Sequence, residues 1–435
     1  MKFIGAILVL GLLAVCQGAK VLVLVEDASA KETYSIFLES LKARGHELVI
    51  RKADNANLAL TKFNEKLYDD LIVLAPSVNK FGGSINTAEI ASFSDKGGNI
   101  LVAGSSKVGD AIRELAIEFG FEYDLADTAV TDHFNYDRNL DTGKHTTVVV
   151  PKESCIKAKF IVGDVDKEGD ILYRGVSLLA HKSNHLILEI LTGTSTSYSH
   201  NPKIRNKQAT IAGKDVVLVG GMQARNNART VLTGSVDMFS NEFLNAQVQS
   251  TSGKKPSLSG NKNLVQELSK WVLQEQGVLR VAKVSHHRVG ETVAPEMYTI
   301  MNEIEYTITV EELKSGKWVP FTPTDMQFEF VRIDPFVRQT LRKKGNSLTT
   351  TFKCPNVNGV YKFYVDYHRP GLTHITDVQV SPVRPLAHDQ FERFIRCANP
   401  YYASSFSMMA GFVIFSVVFL FYKEEAVVSA GKKTN

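Results

Sequence analysis

The chain has 435 residues, 44% of them hydrophobic and 22% charged, with a formal net charge of +4 at pH 7. That balance excludes global disorder, and the length predicts about two to three domains. No stripe of lysine and arginine interleaves with aromatic residues, so nucleic acid is not an expected partner.

The first stretch, "MKFIGAILVLGLLAVCQGAK", reads as a secretory signal. Lys2 supplies the positive start, Phe3 to Val15 the apolar run, and small Cys16 and Gly18 a cleavage site, giving a signal peptide at 1–18. An uncleaved anchor is the weaker reading, because "KVLVLVED" follows at once and looks like a buried strand. Cleavage leaves Cys155, Cys354 and Cys397, far apart in sequence. They allow at most one disulfide, and with no C-x-x-C they do not suit dithiol redox chemistry.

"VLVLV" at 21–25 lacks alternation, as expected of a strand covered on both faces. Ser29 and Glu32 have capping-box spacing. Tyr34, Phe37, Leu38 and Leu41 then stripe a helix that Gly45 can end. "HELVI", "DDLIVLA" and "NILVAG" read as strands. A helix with Ile90 and Phe93 precedes Gly97-Gly98, and another with Val108, Ile112, Leu115 and Phe119 precedes Gly120. This rhythm predicts a doubly wound α/β domain over 19–279, with a split into two subdomains near 135–150 left open. Inside it, "DVVLVGG" at 215–221 reads as a strand, 192–202 and 251–260 as loops, and 263–277 as an amphipathic helix.

After residue 280 the period becomes two. Tyr306, Ile308 and Val310 alternate with threonines, and Tyr361, Phe363, Val365 and Tyr367 with Lys362, Tyr364 and Asp366. An antiparallel β-sandwich is expected over 280–385. A juxtamembrane segment, 386–402, leads to an uncharged apolar run at 403–422, long enough at ~1.5 Å per residue to cross a ~30 Å hydrocarbon core. Tyr401, Tyr402 and Tyr422 stand at its ends, where an aromatic belt belongs. Arg384, Arg393 and Arg396 on one side balance Lys423, Lys432 and Lys433 on the other, so charge counting does not set orientation. The signal peptide does: a type I protein, with the tail 423–435 cytosolic. Lys432 and Lys433, fourth and third from the end, match a dilysine retrieval signal, the alternative being an ordinary basic terminus.

Four groups of residues invite a chemical reading. Ser106 follows a strand and precedes a helix, as a nucleophile elbow does, but G-x-S-x-G needs glycine where Val108 stands. "GDVDKEGD" offers Asp164, Asp166 and Glu168 as a metal-binding start, yet the glutamate a calcium loop needs is Gly175; an exposed acidic turn fits better. His286 and His287 point to opposite faces of an extended chain and cannot easily grip one metal; with Arg288 they suit a polar linker between the domains or a subunit contact. "GGMQARNNAR" follows a buried strand, where α/β proteins place ligand loops. Arg225 and Arg229, with Asn226 and Asn227 between them, are candidates for an anion such as pyrophosphate or for a subunit contact; satisfaction inside the protein is the favoured role. None of the four has a complete catalytic or metal-binding set, and no asparagine starts N-x-Ser/Thr.

Taken together, "GMQARNNAR", "GVLRV", "VSHHRVGE", "GKWVPF", "EFVRIDPFVR", "QFERFI" and "YYASSFSMM" closely resemble the 48-kilodalton subunit family of the eukaryotic oligosaccharyltransferase complex. The resemblance covers the mature chain in order and is densest from about 215 to the span. It implies a non-catalytic subunit without a cofactor of its own, in the endoplasmic reticulum membrane. The complex transfers a preassembled oligosaccharide from dolichyl diphosphate to asparagine of Asn-X-Ser/Thr. The implied partners are the other subunits, including a separate multispanning catalytic one that carries the metal site. The family's N-terminal region is similar to glutamine-amidotransferase-like domains, whose nucleophile is a cysteine after a strand; no cysteine lies between 19 and 154, so a degenerate version is implied. Small residues Ala410, Gly411 and Ser416 are then candidates for helix packing in the bilayer. Rival readings are a tethered hydrolase using Ser106 and a glycan-diphosphate binding module using Arg225 and Arg229.

Overall fold

The structure is a computed structural model that describes residues 18–164, 169–204, 209–251 and 257–424. Most of the expected signal peptide with Cys16, the acidic Asp166 and Glu168, and the tail lysines Lys432 and Lys433 lie outside the described residues.

The apolar run after Ala19 forms β1 (Lys20–Val25), whose last five residues are buried. There follow α1 (Ser35–Ala43), β2 (Glu47–Lys52), β3 (Asp70–Leu74), α2 (Thr87–Asp95), β4 (Asn99–Ala103), α3 (Asp110–Glu118) and β5 (Phe121–Tyr123). The chain then leaves the sheet and returns as β6 (Leu178–Ala180), β7 (Ile187–Thr192), β8 (Val217–Gln223) and β9 (Arg229–Thr233), and closes with α4 (Asn261–Val272). One nine-stranded sheet results, in the order β2-β1-β3-β4-β9-β8-β6-β5, with β7 also paired to β8. The stretch near 135–150 lies in the excursion between β5 and β6, and its Val148 and Val150 pack into the same core as β1 and α4.

The first five strands of that order are mutually parallel, whereas β8 is antiparallel to β9. Alternation in β1 sends Val21, Val23 and Val25 to one face, against Phe37, Leu38 and Leu41 of α1 and Leu264, Leu268 and Trp271 of α4. Leu22 and Leu24 go to the other face, against Ile90 and Phe93 of α2 and Ile112 and Leu115 of α3. Helices on both faces make the domain doubly wound. Two local expectations change. Ser29 makes no side-chain cap, because its own backbone is already helical (φ −64°, ψ −22°) and its carbonyl is what the next turn uses. The polar stretch 192–202 contains a strand, Tyr198–His200, paired to Ala129–Thr131.

The second domain is a sandwich of two five-stranded sheets. Its strands are β10 (Leu279–Arg288), β11 (Tyr298–Thr299), β12 (Glu303–Lys314), β13 (Lys317–Pro320), β14 (Gln327–Val331), β15 (Pro335–Thr340), β16 (Arg342–Lys344), β17 (Ser347–Lys353), β18 (Gly359–Tyr367) and β19 (Ile375–Arg384). One sheet runs β10-β12-β17-β16 with β13 beside β12; the other runs β11-β19-β18-β14-β15. Alternate residues face inward, so Tyr306, Phe328, Phe330, Tyr361 and Phe363 form an aromatic core. The ladder pairs Gly359 with Val383 at one end and Tyr367 with Ile375 at the other. The sandwich thus has two distinct ends, one carrying the 368–374 turn and the other the exit of the chain after Arg384.

The apolar run becomes α5 (Asn399–Phe421), 23 residues starting four before the apolar stretch itself. At ~1.5 Å per residue it measures ~35 Å, and none of its apolar core is buried against the chain.

Candidate functional site

The "GMQARNNAR" motif forms the joint between the domains. Because β8 runs against the parallel strands, its end and the turn Ala224–Ala228 fall at the edge of the sheet where the parallel strands begin. The expected placement among ligand loops is therefore overturned: those loops gather at the opposite, carboxyl edge. Gly220 and Gly221 lie within β8 and serve packing, since a Cβ on Gly220 would stand 2.2 Å from the ring of Phe121 and one on Gly221 2.7 Å from Ile190.

Arg229, the first residue of β9, is fully buried and points across the joint. Its Nη1 donates to the carbonyls of Trp271 and Gln276, both at 2.7 Å, and its Nη2 to those of Gly277 at 2.8 Å and Gly371 at 3.5 Å. The guanidinium also lies over the Trp271 ring. Burial pushes its pKa down to about 9. The Trp271 indole donates to Gly371 at 2.9 Å. Gln223 reaches the carbonyl of Leu372 at 2.8 Å, and Asn227 accepts from the amide of His374 at 2.7 Å. Asn227 holds φ +66°, a left-handed conformation that asparagine tolerates well. Thr373 completes the joint, its hydroxyl accepting from Leu279 N at 2.6 Å. Behind it, Asn99 accepts from the amide of Arg229 and donates to buried Asp70, whose carboxyl burial raises to about 6 against that hydrogen bond.

The candidate anion site is thus divided. Arg229 faces carbonyls and is committed to the joint. Asn226 donates to the carbonyls of Ser94 and Asp95, capping the end of α2. Arg225 is exposed and makes no hydrogen bond or ion pair to any described residue.

The carboxyl edge of the sheet is occupied by the chain itself. At the crevice between β1 and β3, where the strand order reverses, Glu26 accepts from the amide of Ser77 at 2.8 Å. Past β9, Val176 N donates to Gly234 O, the Ser235 hydroxyl to Arg174 O, and Arg174 pairs with Asp237 at 2.7 Å. The contact is so close that a Cβ on Gly175 would meet Gly234 O at 2.0 Å. Ser106 lies in the loop after β4 with its carbonyl accepting from Asp127 N, and no described histidine bonds its hydroxyl.

His286 and His287 sit near the end of β10, inside the sandwich, so the expected linker is overturned: β10 pairs with β12 through all of "VSHHR". His286 bonds the Tyr298 hydroxyl at 2.8 Å and stacks on Phe363, with ring centres 4.4 Å apart. Burial, followed by His287, lowers its pKa. Half-buried His287 faces the other way, and Arg288 donates to Met297 O. Sequence reasoning missed a second histidine group. His133 and His145 approach Nδ1 to Nδ1 at 2.6 Å, His133 Nε2 meets the Tyr198 hydroxyl at 2.8 Å, and Tyr136 stacks on His145. These residues come from separated polar segments with no shared spacing. Among the described residues no group of three or more histidine, cysteine, aspartate or glutamate side chains is placed to hold a metal, and no disulfide joins Cys155, Cys354 and Cys397. Asp164 follows the short helix Lys159–Val162.

On α5 a rotation of ~100° per residue puts Ala410 and Gly411 on one side with Ala403, Ser404 and Ser407. Ser416 lies ~120–140° away round the helix, so it does not share that face. Its hydroxyl bonds Phe412 O at 2.8 Å.

The family description "OST48, N-terminal domain" matches residues 13–275, and "OST48 middle domain" matches residues 286–423. The dolichyl-diphosphooligosaccharide–protein glycosyltransferase 48 kDa subunit of Caenorhabditis elegans is 52% identical over 414 residues, covering 94% of this chain and 93% of its own. The subunits of the same name from Danio rerio and Drosophila melanogaster are 50% and 47% identical, each over 95% of this chain and 94% of their own.

Proposed function

The chain belongs to the family of dolichyl-diphosphooligosaccharide–protein glycosyltransferase 48 kDa subunits, and on that footing we propose that it is the non-catalytic, membrane-anchored scaffold member of this complex. The complex so named moves an oligosaccharide from dolichyl diphosphate to protein, and this chain contributes to its N-linked glycosylation as an accessory subunit. The observation that carries the non-catalytic reading is the filled carboxyl edge. Glu26–Ser77 bridges the switch-point crevice, and the backbone of 174–177 covers the end of β9, where a doubly wound enzyme would bind substrate.

In this reading the chain carries no cofactor, the bulk lies in the lumen of the endoplasmic reticulum, and the tail is cytosolic. The cleaved segment 1–18 and the retrieval lysines Lys432 and Lys433 serve that placement. Partners, including a multispanning catalytic subunit, meet the helix on its small face, where Ser407 and Gly411 permit close approach. Exposed Arg225 is open to a subunit. Purification in mild detergent through a tag on this chain tests the proposal. Transferase activity towards an Asn-X-Thr peptide should co-purify with the assembled complex and be missing from the isolated chain. Activity in the isolated chain, lost on Ser106→Ala, would replace the scaffold by a hydrolase-type enzyme.

A further inference from the structure

The two ends of the sandwich differ in what they expose. The 368–374 turn end is bonded to the α/β domain through Asn227, Gln223 and Arg229. At the other end four turns come together. Met301 N donates to Cys354 O, Ile300 N to Arg384 O, and Arg332 Nη1 to Asn358 O. These bonds gather the turns 300–302, 332–334 and 354–358 beside the last residue of β19, and the turn 289–297 joins them because Arg288 donates to Met297 O and the next residue, Tyr298, pairs with Val383 of β19. Their tips are apolar and open: Ile333 is 83% exposed and Val293 75%, with Met297 and Met301 also exposed, and Phe336 and Val360 lie exposed at the starts of the adjoining strands β15 and β18. Scattered apolar side chains on a surface are ordinary, whereas several on hydrogen-bonded neighbouring turns at one end form a patch with a purpose.

The path of the chain says what covers it. After Arg384 the backbone folds back, with Gln390 bonded to both Arg384 and Ala387. Five residues, Phe391–Ile395, then separate this fold-back from the 3₁₀ turn Arg396–Ala398 that leads directly into α5. Fully extended they cover about 17 Å. The patch is therefore tied within a short reach of the membrane interface by the span itself. The tether carries the side chains that favour that interface: Phe391 and Phe394 are exposed, and Phe394 stacks on Tyr402 at the start of the helix.

We propose that the span-side end of the sandwich is a membrane-contact face, its loop tips, led by Ile333 and Val293, seated in the interfacial layer of the bilayer. The occupant is lipid, because the tether holds this end against the bilayer whether or not partners are present. Residues at this depth reach ~5–10 Å into the headgroup and acyl boundary. The inference rests on the span and not on the absence of catalysis.

The test uses the full chain in phosphatidylcholine nanodiscs, in a Cys397→Ser background so that labelling spares the juxtamembrane thiol. An environment-sensitive fluorophore is placed at Ile333→Cys and, independently, at Val293→Cys; Lys317→Cys, in the exposed β13 at the opposite end, is the control. Blue-shifted emission at both test positions, lost to quenchers carried on the lipids, with the control unaffected, is the expected result. Emission at both test positions as solvent-like as the control overturns the proposal. Shielding that appears only in the assembled complex and is insensitive to lipid-borne quenchers also overturns it, because a partner subunit is then the cover. Neither failure touches co-purification of transferase activity, so the two readings fall separately.

Discussion

The side-chain oxygen of Asn227 accepts a hydrogen bond from the backbone amide of His374 at 2.7 Å, directly joining the turn before β9 to the far end of the sandwich. The same oxygen lies 3.3 Å from the Gln223 amide. Asn227→Ala leaves the His374 amide without its partner and should cost about 1–3 kcal/mol. Asn227→Asp keeps the acceptor and should recover most of that loss. Denaturant midpoints of the detergent-solubilised chain, with hydrogen exchange at 371–374, measure both. Equal loss in the two variants would assign the effect to backbone strain at φ +66° instead.

Arg229→Met should be among the most damaging single changes in the chain. It leaves the Gln276 carbonyl without its donor, at about 1–3 kcal/mol, and removes the second donor from the carbonyls of Trp271 and Gly277, which keep the amides of Gln274 and Thr373. Arg229→Lys keeps the charge but not the planar fork, and should rescue only partly. Unfolding midpoints rank the three proteins; a Lys variant as stable as the parent would show that charge, not geometry, holds the joint.

Gly175→Ala should destabilise by about 1–3 kcal/mol through overpacking, since the added carbon meets Gly234 O at 2.0 Å. The change also pries at the closed carboxyl edge. Increased exchange of the Val176 amide, which bonds Gly234 O, is the local readout. Unchanged exchange there would mean that the edge yields elsewhere.

Acid should weaken the sandwich through His286. Its folded pKa lies below the ordinary value because burial, and then His287, penalise the imidazolium, while Asp377 opposes them. The unfolded chain therefore takes up a proton near pH 6.5 that the folded chain refuses. Stability is full above that pH and falls as pH drops towards the folded pKa. His286→Phe retains a ring to stack on Phe363 and should flatten the slope. Urea midpoints at stepped pH compare the two, and identical slopes would clear His286 of the effect.

In the bilayer, Gly411→Leu should reduce co-purification of transferase activity, whereas Ser416→Leu, on another side of α5, should not. Circular dichroism of both variants separates this from misfolding. Equal effects of the two would deny the small face its role.

Much of the architecture was legible because burial imposes simple periods. "VLVLV" had no alternation and became a strand covered on both faces; Tyr306, Ile308 and Val310 alternated and lined one face. The joint was not legible. Whether "DVVLVGG" runs with or against its neighbours depends on contacts over a hundred residues apart, such as Thr230 beside Ile100, and its direction decides which edge receives Arg229. A local pattern carries strand identity and not strand sense. Likewise "VSHHR" looked like a linker because its alternation is half polar; only the stack of His286 on Phe363 and the pairing to β12 explain why such residues belong in a strand. His133 and His145 are brought together by a turn that no spacing announces.

The ladder between β18 and β19 has a mechanical meaning. One end of β19 is locked to the α/β domain by the turn before Ile375, and the other gives rise to the tether at Arg384. Ten residues at ~3.3 Å each make it a strut of roughly 33 Å. With the span-side end seated on the bilayer as proposed, the height of the α/β domain above the span is set by strand length. Lengthening β18 and β19 together by two residues would lift the whole domain by roughly 7 Å while leaving every contact in the joint intact.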